Sequence, residues 1–176
     1  VLIYGDEIGM GENLDLPGRT SVRTPMQWNS ESNAGFSTAS ADKVMRKTIT
    51  KGDFSYKKVN VETQYRQEDS LLNWMKALIR NRKNNREIGW GEVGVVKSDR
   101  PHILVHSYEW HGNALVLAHN LADKACAFKI SSKKFHPRQL VDLFANRIYE
   151  PTDENTQEIA MDAYGYRWFR VNQLKS

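Results

Sequence analysis

The spacing of apolar residues changes once along this chain, and the change limits the folds open to it. From Ser70 to about Ile79 apolar residues recur at the period of an α-helix, and basic residues follow them. After Gly89 β-branched and aromatic residues recur at a period of two, in short runs separated by turn formers. The predicted strands cover residues 93–97, 103–110, 114–120, 125–130, 138–143 and 166–172. This spacing predicts an all-β antiparallel sandwich in the C-terminal half.

The N-terminal half is dominated by one long segment with few regular elements. Residues 1–4 form a short apolar run that predicts a strand, and residues 5–68 carry repeated glycine and proline. Loops longer than about 15 residues with no structure of their own are uncommon and are usually functional. We therefore expect an active-site loop here, and a division into two domains, residues 1–86 and 87–176.

Three sequence motifs in this half are similar to motifs of one enzyme family. They are Gly5-Asp-Glu-Ile-Gly-Met10, Val22-Arg-Thr-Pro-Met-Gln-Trp28 and Asn33-Ala-Gly-Phe-Ser37. A strand that ends in a polar loop is where a (β/α)8 barrel builds its active site. The motifs resemble the last barrel strand and following loop of the α-amylase superfamily, above all its trehalose synthases and their α-glucosidase relatives. Residues 108–120 and 164–170 resemble the β domain that follows the barrel in this family.

The resemblance implies an α+β fragment, with the last strand, loop and helix of a (β/α)8 barrel followed by the sandwich domain. A complete barrel needs about 250 residues. This chain has 176 and begins inside an apolar run without methionine, so we expect a piece of a longer enzyme. The family's catalytic carboxylates follow earlier strands. Asp6 and Glu7 are no substitute, because neighbours on an extended chain point to opposite faces. We expect no catalytic residue here and no activity from the chain alone.

Five residues of the motifs are candidates for binding a sugar. The Arg23 guanidinium can hold adjacent hydroxyls or a carboxylate with two donors, and its counterpart in related enzymes lies beside the sugar pocket. A structural ion pair with Asp6 or Glu7 is the alternative. Trp28 offers an indole face to a pyranose, or else anchors the loop from inside. The five candidates are Asp6, Glu7, Arg23, Gln27 and Trp28.

Composition excludes several other classes of protein. The net charge of +4 is spread along the chain without a basic stripe interleaved with aromatics, which argues against a nucleic-acid partner. No apolar run approaches the roughly 20 residues of a membrane span. The single cysteine, Cys126, forms no disulfide within the chain and fits a cytoplasmic location.

We expect no metal and no cofactor from the sequence, although a Ca²⁺ ion in the parent enzyme is left open. His102 and His106 are four residues apart in a predicted strand without a third ligand. His111, His119 and His136 form no cluster in the sequence. The oxygens available for Ca²⁺ do not match an EF-hand loop. They belong to Asn13, Asp15, Asn29, Asn33 and Asp53.

The implied reaction is the interconversion of maltose and trehalose by retaining glucosyl transfer within one active site. The implied partners are α-glucosides of the maltose and trehalose type, together with the upstream barrel. An oligo-1,6-glucosidase is the alternative, because it shares the arginine motif. A carbohydrate-binding module and a purely structural β domain are rivals from other classes. Exposure of Tyr108, Trp110 and Trp168 would separate these two rivals.

Overall fold

A computed structural model describes residues 1–131, 138–145, 148–149 and 156–173. The chain divides into two compact units, Val1–Arg80 and Asn81–Ser176. The dividing point lies inside a helix, a few residues before the domain boundary predicted at residue 86. His136 lies outside the described residues.

The N-terminal unit consists of loops held by short helical turns and two α-helices. Three 3₁₀ turns span Asp6–Ile8, Gly18–Thr20 and Ser32–Gly35; helix α1 spans Val61–Arg66 and helix α2 spans Leu71–Asn84. The strand predicted for residues 1–4 is wrong for this structure. A strand needs a neighbour for its backbone hydrogen bonds, and no described segment pairs with these residues. Helix α1 was not predicted, and the rest of the loop is as irregular as its glycines and prolines indicated.

Polar side chains fix the two helices to each other and to the first turn. The Asn60 side chain caps α1 by accepting from the Thr63 amide at 2.8 Å. Gln64 of α1 donates to the Ile8 carbonyl at 2.7 Å and accepts from the Leu72 amide at 3.0 Å. A small apolar core of Ile8, Met26 and Leu72 fills the space between them. The predicted helix from Ser70 is confirmed.

The C-terminal unit begins with the short helix α3, Glu87–Trp90, and continues as strands. Each of the six predicted strands is found, displaced by no more than one residue at either end. Helix α3 and two further strands, β6 and β7, were not predicted. The strands are β1 Glu92–Val96, β2 Ile103–Trp110, β3 Asn113–Asn120, β4 Cys126–Ser131, β5 Arg138–Asp142, β6 Ile148–Tyr149, β7 Thr156–Met161 and β8 Tyr166–Gln173.

These strands form two antiparallel sheets around one core, which confirms the sandwich. The larger sheet has the order β1-β2-β3-β8-β5-β6, and β4 pairs with β7 in the smaller sheet. Phe128 and Ile159 come from the small sheet, and Val105, Val116 and Phe169 come from the large one. All five are at most 1% exposed. Alternating apolar residues on both sheets therefore turn inward, as the period of two predicted.

Candidate functional site

The first turn of the chain places its two carboxylates on opposite sides. Gly5 has a φ of 93°, a left-handed conformation that suits glycine and lets the chain turn sharply into Asp6–Ile8. The Asp6 carboxylate accepts from the Ile3 amide at 3.0 Å, and the Glu7 carboxylate accepts from the Gly5 amide at 2.8 Å. Glu7 lines one cavity of the N-terminal unit and Asp6 lines a second. The two groups therefore do not act as one pair.

The first cavity, of about 520 Å³, brings Glu7, Arg23 and Trp28 together. The Arg23 side chain is exposed, and among the described residues it has no hydrogen bond or ion pair. The alternative of a structural ion pair with Asp6 or Glu7 is not what this structure shows. All five donors of the guanidinium are free to face a ligand.

The motif from Asn33 to Ser37 sets the position of the Trp28 ring. The amides of Trp28 and Asn29 both donate to the Ala34 carbonyl, at 2.9 and 3.2 Å. Gly35 has a φ of 68°, and a Cβ atom there would lie 2.5 Å from the Asn29 side chain, so the tight turn requires glycine. The turn leaves Trp28 and Phe36 about half exposed, at 50% and 53%, on the wall of the cavity.

Gln27 lies in the interior of the loop and not at the cavity. Its side chain is fully buried, and its amide nitrogen donates to the carbonyls of Phe54 at 3.2 Å and Val59 at 2.5 Å. The backbone carbonyl of Gln27 accepts from the Val61 amide. Gln27 thus ties the arginine motif to the segment that leads into α1, and it positions its neighbour Trp28 without lining the cavity.

Three residues at the cavity were not among the sequence candidates. Thr24 is 1% exposed, and its hydroxyl has no hydrogen-bond partner in the described part of the chain. The Tyr4 hydroxyl donates to the Thr24 carbonyl at 3.0 Å. Phe36 adds a second aromatic ring. Thr24 lies in the motif of residues 22–28 and Phe36 in the motif of residues 33–37. Their presence in the same motifs as the candidates was the signal in the sequence that could have identified them.

The oxygens considered for Ca²⁺ are partly used by the chain itself. Asn13 accepts from the Asp15 amide at 3.2 Å, and Asn29 accepts from the Glu31 amide at 3.0 Å. The Lys58 ammonium bonds Asp53 and lowers the pKa of its carboxyl. Across the described ranges, no three His, Cys, Asp or Glu side chains form a group able to hold a metal ion.

In the described part of the β unit, the aromatic residues singled out in the sequence do not form an exposed row. Trp168 is 8% exposed and Phe169 is fully buried, while Tyr108 and Trp110 are half-buried. Tyr164 is exposed at a turn with a φ of 51°. A row of open rings would have favoured a carbohydrate-binding module. This packing favours a structural domain.

The N-terminal unit thus carries a free arginine beside two aromatic rings on a glycine-punctuated loop, and an antiparallel sandwich follows it in the sequence. The α-amylase catalytic domain family matches residues 1–91, and the sucrose hydrolase-like C-terminal domain family matches residues 112–170. The chain therefore belongs to the α-amylase family.

The relatives of the chain include trehalose synthases and oligo-1,6-glucosidases. A trehalose synthase of Pimelobacter sp. (strain R48) is 32% identical over 97% of this chain and 30% of its own length. A trehalose synthase of Thermus thermophilus is 28% identical over 100% of this chain and 18% of its own length. A trehalulose synthase variant crystallised with Tris has the same fold, with a TM-score of 0.71 at 14% identity, over 96% of this chain and 35% of that one.

The chain spans about a third or less of these proteins. Residues 1–91 match the α-amylase catalytic domain, an antiparallel sheet domain follows them, and trehalose synthases are among the relatives of the chain. In the part that the structure describes, no helix combines the length and apolar character needed to cross a membrane.

Proposed function

We propose that this chain supplies one wall of the sugar pocket and the C-terminal β domain of an enzyme that interconverts maltose and trehalose. The observation that carries the proposal is the free guanidinium of Arg23 on a cavity wall that also holds Trp28 and Phe36. The sequence identity of 32% and 28% with two trehalose synthases, over nearly the whole chain, supports the choice of substrate. A cytoplasmic location remains an expectation from the single cysteine.

In the proposed reaction this chain binds and shields the sugar. The Arg23 fork donates to adjacent hydroxyls of a glucosyl unit, and the indole of Trp28 packs against the apolar face of the pyranose. Isomerisation requires that water stay out while the covalent glucosyl intermediate waits for the released glucose to turn. The apolar rings and Met26 on the cavity wall suit that requirement. The nucleophile and general acid come from the upstream barrel.

Glu7 is assigned a supporting place on the same wall. One of its oxygens accepts from the Gly5 amide at 2.8 Å, which leaves the other free to accept from a sugar hydroxyl. Asp6 lines the neighbouring cavity of about 550 Å³ and contacts a different part of the ligand. Gln27 acts by holding the loop that presents Trp28.

Product analysis tests the proposal and separates its alternatives. The isolated chain, incubated with maltose, should release neither trehalose nor glucose above a denatured control. The same chain joined to the upstream barrel should convert maltose mainly to trehalose. Glucose as the main product, together with cleavage of isomaltose, would instead identify an oligo-1,6-glucosidase. Sugar binding by the isolated β domain would favour a carbohydrate-binding module.

A further inference from the structure

Two histidines that are distant in sequence meet on the face of the large sheet that is turned away from the sandwich core. His106 of β2 is opposite Leu117 of β3, and His119 of β3 is opposite Leu104 of β2. The two histidines are therefore diagonal neighbours on the same face. The neighbouring strands place Val95 of β1 beside His106 and Tyr166 of β8 beside His119.

The two side chains point their outer nitrogens at each other. The Nε2 atoms of His106 and His119 are 3.4 Å apart, and the ring planes differ by only 10°. With no ion present this contact is a long hydrogen bond, and the tautomers of the two rings decide which one donates. The separation of the two atoms matches the distance between two ligand nitrogens on one tetrahedral ion, which is about 3.4 Å for metal–nitrogen bonds of about 2.0 to 2.1 Å.

Both histidines are half-buried on this face of the sheet. Each histidine also lies on a strand that is hydrogen-bonded to its neighbour. The pairing of β2 with β3 therefore places the two nitrogens close together before an ion binds.

We propose that His106 and His119 form a two-ligand binding site for a divalent transition metal ion such as Zn²⁺, Ni²⁺ or Cu²⁺. Imidazole nitrogens suit these ions, whereas Mg²⁺ and Ca²⁺ need oxygen ligands. Among the described residues no third His, Cys, Asp or Glu joins the pair, so water completes the coordination. The ion links β2 to β3 across the sheet and stabilises the β unit by binding only its folded form. The site is independent of the proposed sugar pocket.

Calorimetric titration of the metal-free chain with Zn²⁺ and with Ni²⁺ tests the proposal. We expect saturable binding of one ion per chain, and no binding of Mg²⁺. Replacing either ligand, in His106→Gln or His119→Gln, should weaken binding by at least roughly tenfold. His111→Asn is the matched control, because His111 has a φ of 47° in a turn, where Asn is tolerated. The affinity of this variant for the metal ion should be unchanged.

A second measurement needs no variant and so does not depend on the variants folding. Cu²⁺ added to the unmodified, isotope-labelled chain should broaden the NMR signals of residues near the pair, on β1, β2, β3 and β8, before any others. Broadening that begins elsewhere would overturn the proposal. Equal affinity in the His111→Asn and His119→Gln variants would also overturn it.

Discussion

Arg170 of β8 and Glu87 of α3 are joined by an ion pair, with Nη1 and Oε1 2.9 Å apart, in which the carboxylate is almost completely buried. Arg170 also donates to the Asn85 side chain at the end of α2. Leu115, directly opposite Arg170 on β3, is fully buried on the same face. This pair fastens the helical entry of the β unit to the side of the sheet that faces away from the sandwich core.

Removing the arginine should therefore cost far more stability than removing an exposed one. Arg170→Met leaves Glu87, 5% exposed, as an unpaired buried charge, and we expect a loss of about 3 kcal/mol in the free energy of unfolding. Arg66→Ala is the control, because its ion pair with Glu62 is exposed on α1 and should be worth about 0.5 kcal/mol or less. Urea unfolding measures both. Similar losses in the two variants would show that the Arg170 pair has no special role.

Acid should weaken the β unit through its histidine pair when no metal is present. Burial lowers the pKa of His106 and of His119 in the folded state, so the unfolded chain binds protons more readily. Their contribution to stability is complete above about pH 6.5 and is lost as the pH falls through the folded-state pKa values. Urea unfolding with a chelator at about pH 7.5 and 5.5 should show this fall. His119→Gln should reduce the fall, and His111→Asn should not.

The sequence predicted secondary structure correctly where apolar residues recur at a constant period and so bury one face of the element. The six strands were predicted because their inward residues alternate, as Ile103, Val105 and Ser107 do on β2. Strand β6 is only two residues long, and β7 begins with three polar residues, Thr156 to Glu158, ahead of Ile159, so neither has a clear signal. Helix α3 spans a single turn, which is too short for a helical period to be visible. The strand predicted at residues 1–4 failed because strands depend on partners.

Residues of the candidate site could be predicted from the sequence only where they belong to the same motif. Placing Arg23 and Trp28 on one cavity needed no knowledge of distant contacts, because they lie five residues apart in one motif. The interior position of Gln27 depends on carbonyls about 30 residues downstream, which no local pattern shows. The meeting of His106 and His119 depends on the register of β2 against β3. A shift of one residue would place them on opposite faces.

The two units should differ in how firmly their backbones are held. Within residues 1–80 the described backbone bonds are mostly turns, and the apolar side chains of Val1, Leu2 and Ile3 are exposed. The β unit has continuous ladders and a shared core. We expect amides of residues 1–68 to exchange with deuterium early, and those of β2, β3 and β8 to exchange last. Equal protection in both units would count against this expectation.

The most direct test of the account is the effect of Arg23→Lys in the full-length protein proposed above. Lysine keeps the charge but loses the two-donor fork, so turnover of maltose should fall roughly a hundredfold, a loss on the order of 2 to 4 kcal/mol in transition-state stabilisation. The midpoint of thermal unfolding should stay nearly unchanged, because the Arg23 side chain is exposed and has no partner among the described residues. Arg19→Lys is the matched control, since Arg19 is an exposed arginine in the turn Gly18–Thr20, away from the cavity lining, and it should keep full activity. A lower midpoint with near-normal turnover per folded molecule would contradict the account and give Arg23 a structural role.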